Sequence, residues 1–105
     1  MTKNLDQNGL SSIAENYNLF YVDLWGVVHD GISLHKEAIR ALNELDKIDK
    51  EYVLLTNAPR PSSTVKVFLE KLGLSRSVQD HVFTSGEASI IYLKKNFFSQ
   101  KFYHI

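Results

Sequence analysis

Three short apolar runs, each followed by a stretch spaced for a helix, restrict this chain to very few architectures. Leu19 to Leu24 (LFYVDL), Tyr52 to Leu55 (YVLL) and His81 to Phe83 (HVF) read as strands. After the first, Ala38, Ala41, Leu42, Leu45 and Ile48 recur at helical spacing within 35–48. The opposite face of that helix is charged, with Lys36, Glu37, Arg40, Glu44 and Lys47. After the second run, Pro61 suits a helix start, where its missing N–H costs nothing. Val65, Phe68, Leu69 and Leu72 give this helix an apolar stripe, and Gly73 fits the left-handed position past its end. Thr84 and Glu87 are spaced as a capping box that opens a third helix, extending to the neighbourhood of Lys95. Ser11 to Asn16 reads as a short helix, and the final KFYHI as the start of a further strand.

Strand and helix alternating in this order predict a parallel sheet with helices packed on it. Unbroken apolar strands further predict burial on both faces of the sheet. The expected fold class is a Rossmann-like, doubly wound α/β domain over 15–105, cut short after its first strands. A polar segment over 1–14 precedes it. Twelve basic residues balance twelve acidic ones, which argues against nucleic acid or an anionic membrane as partner. There is no cysteine, so disulfides and thiolate metal sites are excluded. The opening MTKNLDQNGL is unlike a signal peptide, and no apolar run is long enough to span a membrane. The default expectation is a soluble, cytoplasmic protein.

Ligands of open α/β sheets bind beyond the carboxyl ends of the strands. Asp23 ends the first predicted strand, and Thr56 with Asn57 ends the second. If the two strands are neighbours, these groups share one crevice. Free N–H groups and the positive end of the helix dipole near Pro61 would favour an anion such as phosphate. A carboxylate can attack phosphorus and form an acyl phosphate. It repels the phosphate unless a cation such as magnesium screens both. The Thr56 hydroxyl would hold phosphoryl oxygens as charge redistributes. Simpler roles stand beside these: Asp23 as a turn former, and Thr56 and Asn57 as caps of the next helix. Arg60 is a candidate contact for a substrate anion or a solvated residue at a helix start.

The segments DLWGVVHDG (23–31) and VLLTNAPRP (53–61) resemble the haloacid dehalogenase-like (HAD) superfamily. The likeness is greatest to its class IIA sugar and nucleotide phosphatases, in a branch with tryptophan in the first motif. Asp23, Gly26 and Val27 match that motif. Val53, Leu54, Leu55 and Thr56 match the second, with Asn57 typical of class IIA, and TSGEA (84–88) is also similar. The resemblance implies Asp23 as nucleophile and magnesium ligand, Thr56 and Asn57 as phosphate-binding residues, and a small phosphate ester as substrate. It also implies the Trp25 backbone carbonyl as a magnesium ligand.

Two departures qualify it. The family's second aspartate, which protonates the leaving group, is replaced by Trp25, whose indole N–H is neither acid nor base near pH 7. Its side chain reads instead as closing the loop over the sheet. His29 and Asp30 lie close enough to be candidate replacements. The family's third-motif lysine and fourth-motif acidic cluster have no counterpart. The chain is therefore expected to be the N-terminal part of such a protein, inactive alone and completed by a second chain or self-associating. The alternatives are a non-catalytic remnant or binding module from a split gene, and a haloacid dehalogenase. The latter also carries an aromatic residue at this point, and halide needs neither metal nor proton to leave.

Overall fold

The computed structural model describes residues 5–103 and 105. Three parallel strands, β1 (Leu19–Asp23), β2 (Glu51–Thr56) and β3 (Val82–Thr84), lie in the order β1-β2-β3. The helices are α1 (Lys36–Lys47), α2 (Ser62–Lys71), α3 (Arg76–Gln79) and α4 (Ser85–Asn96). This is the expected α/β, Rossmann-type arrangement, with every anticipated strand and helix boundary of this core within a residue or two. The short helix expected at 11–16 is two 3-10 turns, Leu10–Ser12 and Ala14–Asn16. The four-residue α3 was not anticipated; it is too short to show helical periodicity. No strand forms at Lys101–Tyr103 or Ile105, and His104 lies outside the described residues. Among the described residues no helix is long and apolar enough to cross a membrane.

Register explains the core. Phe20 pairs with Tyr52, and Val22 with Leu54, which pairs in turn with Val82. Side chains alternate along a strand, so these five point to one face. There they join Leu42 and Leu45 of α1, Leu69 of α2 and Val78 of α3 in a single apolar cluster. Leu10 and Ala14, from the polar N-terminal segment, pack against the same cluster. Leu54 is fully buried at its centre. Gly73 ends α2 at φ 97°, the left-handed geometry its position called for.

The other face corrects the expectation of two-sided burial. Leu19, Tyr21, Leu55 and Phe83 line it and are exposed, Tyr21 by 72%. The runs are apolar throughout, yet the described helices that join the core cover only one side. Two stripe residues are also less buried than their spacing implied. Ile48 falls past the end of α1 and is half exposed, and Phe68 is 40% exposed with its ring edge on that of His29.

At the amino ends of the strands, Tyr52 is buried and its ring stacks on that of His81, with centroids 4.1 Å apart. His81 Nδ1 lies 2.8 Å from the Tyr52 carbonyl oxygen. The Tyr52 hydroxyl donates to Asp46 at 3.4 Å. Burial first, then the neighbouring Asp46 charge, pushes the Tyr52 phenol up to about 12. Because the folded state holds this proton more tightly than the unfolded state, the associated stability is present below pH 10. It declines as pH rises from 10 towards 12. Denaturant melts across this range should show the decline, and Tyr52→Phe should flatten it. Leu54→Ala should destabilise the fold by about 2–5 kcal/mol, through lost burial plus a cavity. Tyr21→Ser, on the open face, should change it by about 0.5 kcal/mol or less in the same melts.

Candidate functional site

The carboxyl ends of β1 and β2 open onto a cleft of about 600 Å³. Asp23, Thr56 and Asn57 line it together, with Tyr21, Leu55, Phe83, Thr84 and Ser85 among the other walls. Parallel pairing produces this meeting: Asp23 is the register partner of Leu55, so Thr56 and Asn57 emerge beside it. Asp23 and Asn57 are exposed, and Thr56 is half-buried.

Each group has a defined local setting. Asp23 Oδ1 accepts the Leu24 N–H at 2.9 Å, and Oδ2 stands outside that bond. Thr56 Oγ1 accepts the Ala58 N–H at 3.3 Å, so its own proton remains available to an oxygen ligand. After Asp23 the chain turns tightly. The Leu24 carbonyl accepts N–H bonds from Val27, Val28 and His29, and Gly26 N–H bonds the His29 carbonyl at 2.7 Å.

The other candidates lie apart from this cleft. His29 is buried in the turn, its Nδ1 accepting the Gly31 N–H at 3.0 Å. Burial lowers its pKa, partly opposed by the Asp30 charge. Asp30 Oδ1 accepts the N–H groups of Ile32 and Ser33 at 2.9 and 2.8 Å, bonds that hold its carboxyl below the usual range. Both therefore serve the turn. The Trp25 side chain does not close over the sheet. It is 67% exposed and lies on Gly31, beside the His29 ring. Arg60 lines a different cleft, between the 59–61 segment and α4.

The start of α2 also differs from expectation. Its Ser62 N–H is already donated to Glu87 Oε2 at 3.2 Å, and that of Thr64 to the Pro61 carbonyl at 3.0 Å. A carboxylate thus occupies the positive end of this dipole. The capping box is only half built: Thr84 Oγ1 accepts the Glu87 N–H at 2.9 Å, but the Glu87 side chain crosses to α2 instead of returning to Thr84. The Thr84 N–H goes to Ser62 Oγ at 3.3 Å. Sequence spacing identified the cap but could not show a bond spanning 25 residues.

The residues can be tested against a magnesium ion. The Asp23 carboxylate is a hard oxygen donor of the right kind, and the Trp25 carbonyl takes none of the turn's hydrogen bonds. Asp23 is the cleft's lone carboxylate, and no group of three potential metal-ligating side chains occurs among the described residues. These donors fit magnesium only with water and substrate oxygens completing its shell.

A family model described as haloacid dehalogenase-like hydrolase matches residues 20–105. The chain belongs to this family. Its fold is similar to a haloacid dehalogenase-like family hydrolase from Brucella suis, at 31% identity and TM-score 0.74, over 83% of this chain and 32% of that one. It is also similar to a 4-nitrophenylphosphatase from Thermotoga maritima, at 25% identity and TM-score 0.67, over 82% and 33%. A glycerol phosphate phosphatase from Mycobacterium tuberculosis, solved with magnesium, shares the fold at 24% identity and TM-score 0.61, over 81% and 25%. No curated protein matches. This HAD-like chain spans about a third or less of the length of these solved structures.

Gly86 approaches the 58–62 segment so closely that a Cβ there would overlap the Arg60 backbone nitrogen and oxygen and the Pro59 carbonyl carbon. Both sides of the contact are main chain, so neither can rotate away. Gly86→Ala should lower stability by roughly 1–3 kcal/mol or more, read as a lower melting temperature by calorimetry.

Proposed function

We propose that this chain carries the nucleophile side of a HAD-type phosphohydrolase site of class IIA, formed by residues 15–105. The substrate class is a small phosphate ester such as a sugar or nucleotide phosphate. One observation carries the reading: Asp23, Thr56 and Asn57 line a single cleft at the strand ends. Family membership and the phosphatase from Thermotoga maritima support it.

In this reading Asp23 Oδ2 attacks phosphorus, the P–O ester bond breaks, and an aspartyl phosphate forms as the alcohol leaves. The Thr56 hydroxyl and the Asn57 amide donate to the phosphoryl oxygens as charge builds on them. Water then attacks the acyl phosphate, releasing inorganic phosphate and restoring the Asp23 carboxylate. Asp23 and the Trp25 carbonyl would hold magnesium, which supplies the positive charge that lets a carboxylate approach a phosphate. The Trp25 side chain offers no proton to the leaving alcohol. His29 and Asp30 serve the turn and do not line the cleft, and Arg60, which lines another cleft, is a charged anion contact and not a proton donor. The proton therefore comes from water or from a group on a second chain or second copy seated at the open sheet face.

A second reading, a phosphate-binding module without turnover, is favoured by the single carboxylate in the cleft. Both are tested with the purified chain, magnesium and 4-nitrophenyl phosphate. The first reading expects turnover, by the chain alone or by its assembly with the chain or copy that completes the site, and Asp23→Asn should lower it roughly a thousandfold or more. Phosphate binding at Thr56 and Asn57 without turnover selects the second. Loss of neither activity nor binding in Asp23→Asn and Thr56→Ala would remove both.

A further inference from the structure

The segment that follows Thr56 and Asn57 is fastened to the start of α4 by a set of hydrogen bonds. The Thr84 side chain is fully buried, and its hydroxyl donates to the Arg60 carbonyl while accepting the Glu87 N–H. The Thr84 N–H bonds Ser62 Oγ, and the Ser62 N–H bonds the Glu87 carboxylate. Ser85 Oγ and the Gly86 N–H both donate to the Ala58 carbonyl, at 3.2 and 3.0 Å. The carbonyls of Ala58 and Arg60 and the N–H of Ser62 are thereby held from one side. Thr56 and Asn57 sit at the front edge of this fastened loop, facing Asp23. Few apolar contacts compete to place them, since Asn57 and Pro59 to Pro61 are exposed.

We propose that Thr84 and Glu87 are positioning residues for the phosphate-binding loop, setting where Thr56 and Asn57 stand relative to Asp23. This rests on the phosphohydrolase reading, because it takes Thr56 and Asn57 as the phosphate contacts. Neither positioning residue touches phosphate. Thr84 acts through the Arg60 carbonyl, and Glu87 through the Ser62 N–H. Thr84 and Ser62 are buried at this seam, and a hydrogen bond lost there leaves its partner without that anchor, so the loop shifts.

The test is a titration of the whole 105-residue chain with inorganic phosphate and magnesium, followed by amide NMR signals. In the unaltered chain the Thr56 and Asn57 amides should shift on titration. Thr84→Val keeps the shape of the side chain and removes its hydroxyl. It should move the signals of Thr56 to Arg60 before any ligand is added and weaken phosphate by about tenfold, the effect of misplacing one hydrogen-bond partner. Thr84→Ser keeps the hydroxyl and should restore both readouts. Should Thr84→Val fail to fold, Glu87→Ala serves, with Glu87→Gln as its rescue. Tighter phosphate binding in Glu87→Ala would overturn the proposal, since the carboxylate would then be a mere competitor for the helix end. Binding in Thr84→Val or Glu87→Ala within twofold of the unaltered chain would overturn it too. If the unaltered chain binds no phosphate, the functional reading fails and the proposal fails with it.

Discussion

The arrangement depends on parallel pairing through β2. It is the one strand of this sheet with a hydrogen-bonded neighbour on each side, and its register sets both the core and the cleft. Pairing Val22 with Leu54 and Leu54 with Val82 puts apolar side chains in line on the face that α1, α2 and α3 cover. The same register puts Asp23 beside Leu55 and Thr56 beside Thr84 at the carboxyl ends. A slip of one residue would turn the core residues outward and separate the carboxylate from the loop it faces. Burial therefore fixes the site geometry, although no candidate site residue of the cleft is itself fully buried.

The chemistry at the cleft is lopsided. A carboxylate, a hydroxyl and an amide converge, which suits attack on phosphorus and support of its oxygens. Among the described residues, neither a lysine nor a second carboxylate lines the walls. Nearby polar groups do not fill the gap, because the turn holds them outside the cleft: His29 accepts from Gly31, and Asp30 from Ile32 and Ser33. The exposed apolar row of Leu19, Tyr21, Leu55 and Phe83 ends at this same cleft.

Much of this was legible in the chain. Alternating runs gave the strands, and helical spacing gave α1 and α2, because burial on one side of an element leaves a period in the sequence. The α4 helix, which buries no residue, was legible only from the Thr84 cap at its start. Asp23, Thr56 and Asn57 could be placed at strand ends, but their sharing one crevice depended on β1 and β2 being neighbours, which the pairing supplies. The one-sided sheet could not be foreseen, since an apolar run looks the same whether or not its second face is covered. Glu87 reaching α2, and Gly86 meeting the Arg60 backbone, were equally hidden. Both link segments about 25 residues apart, and no local pattern carries such a contact. The fate of Trp25 was missed because its partner, Gly31, offers no side chain to suggest a contact.

That tryptophan is the only one in the chain, and it rests on Gly31 with most of its surface in water. It is therefore a natural fluorophore placed two residues from Asp23. Its emission is free of any second indole, so a change in colour or intensity when a ligand arrives reports on the surroundings of that one ring, at the turn between Leu24 and Leu34.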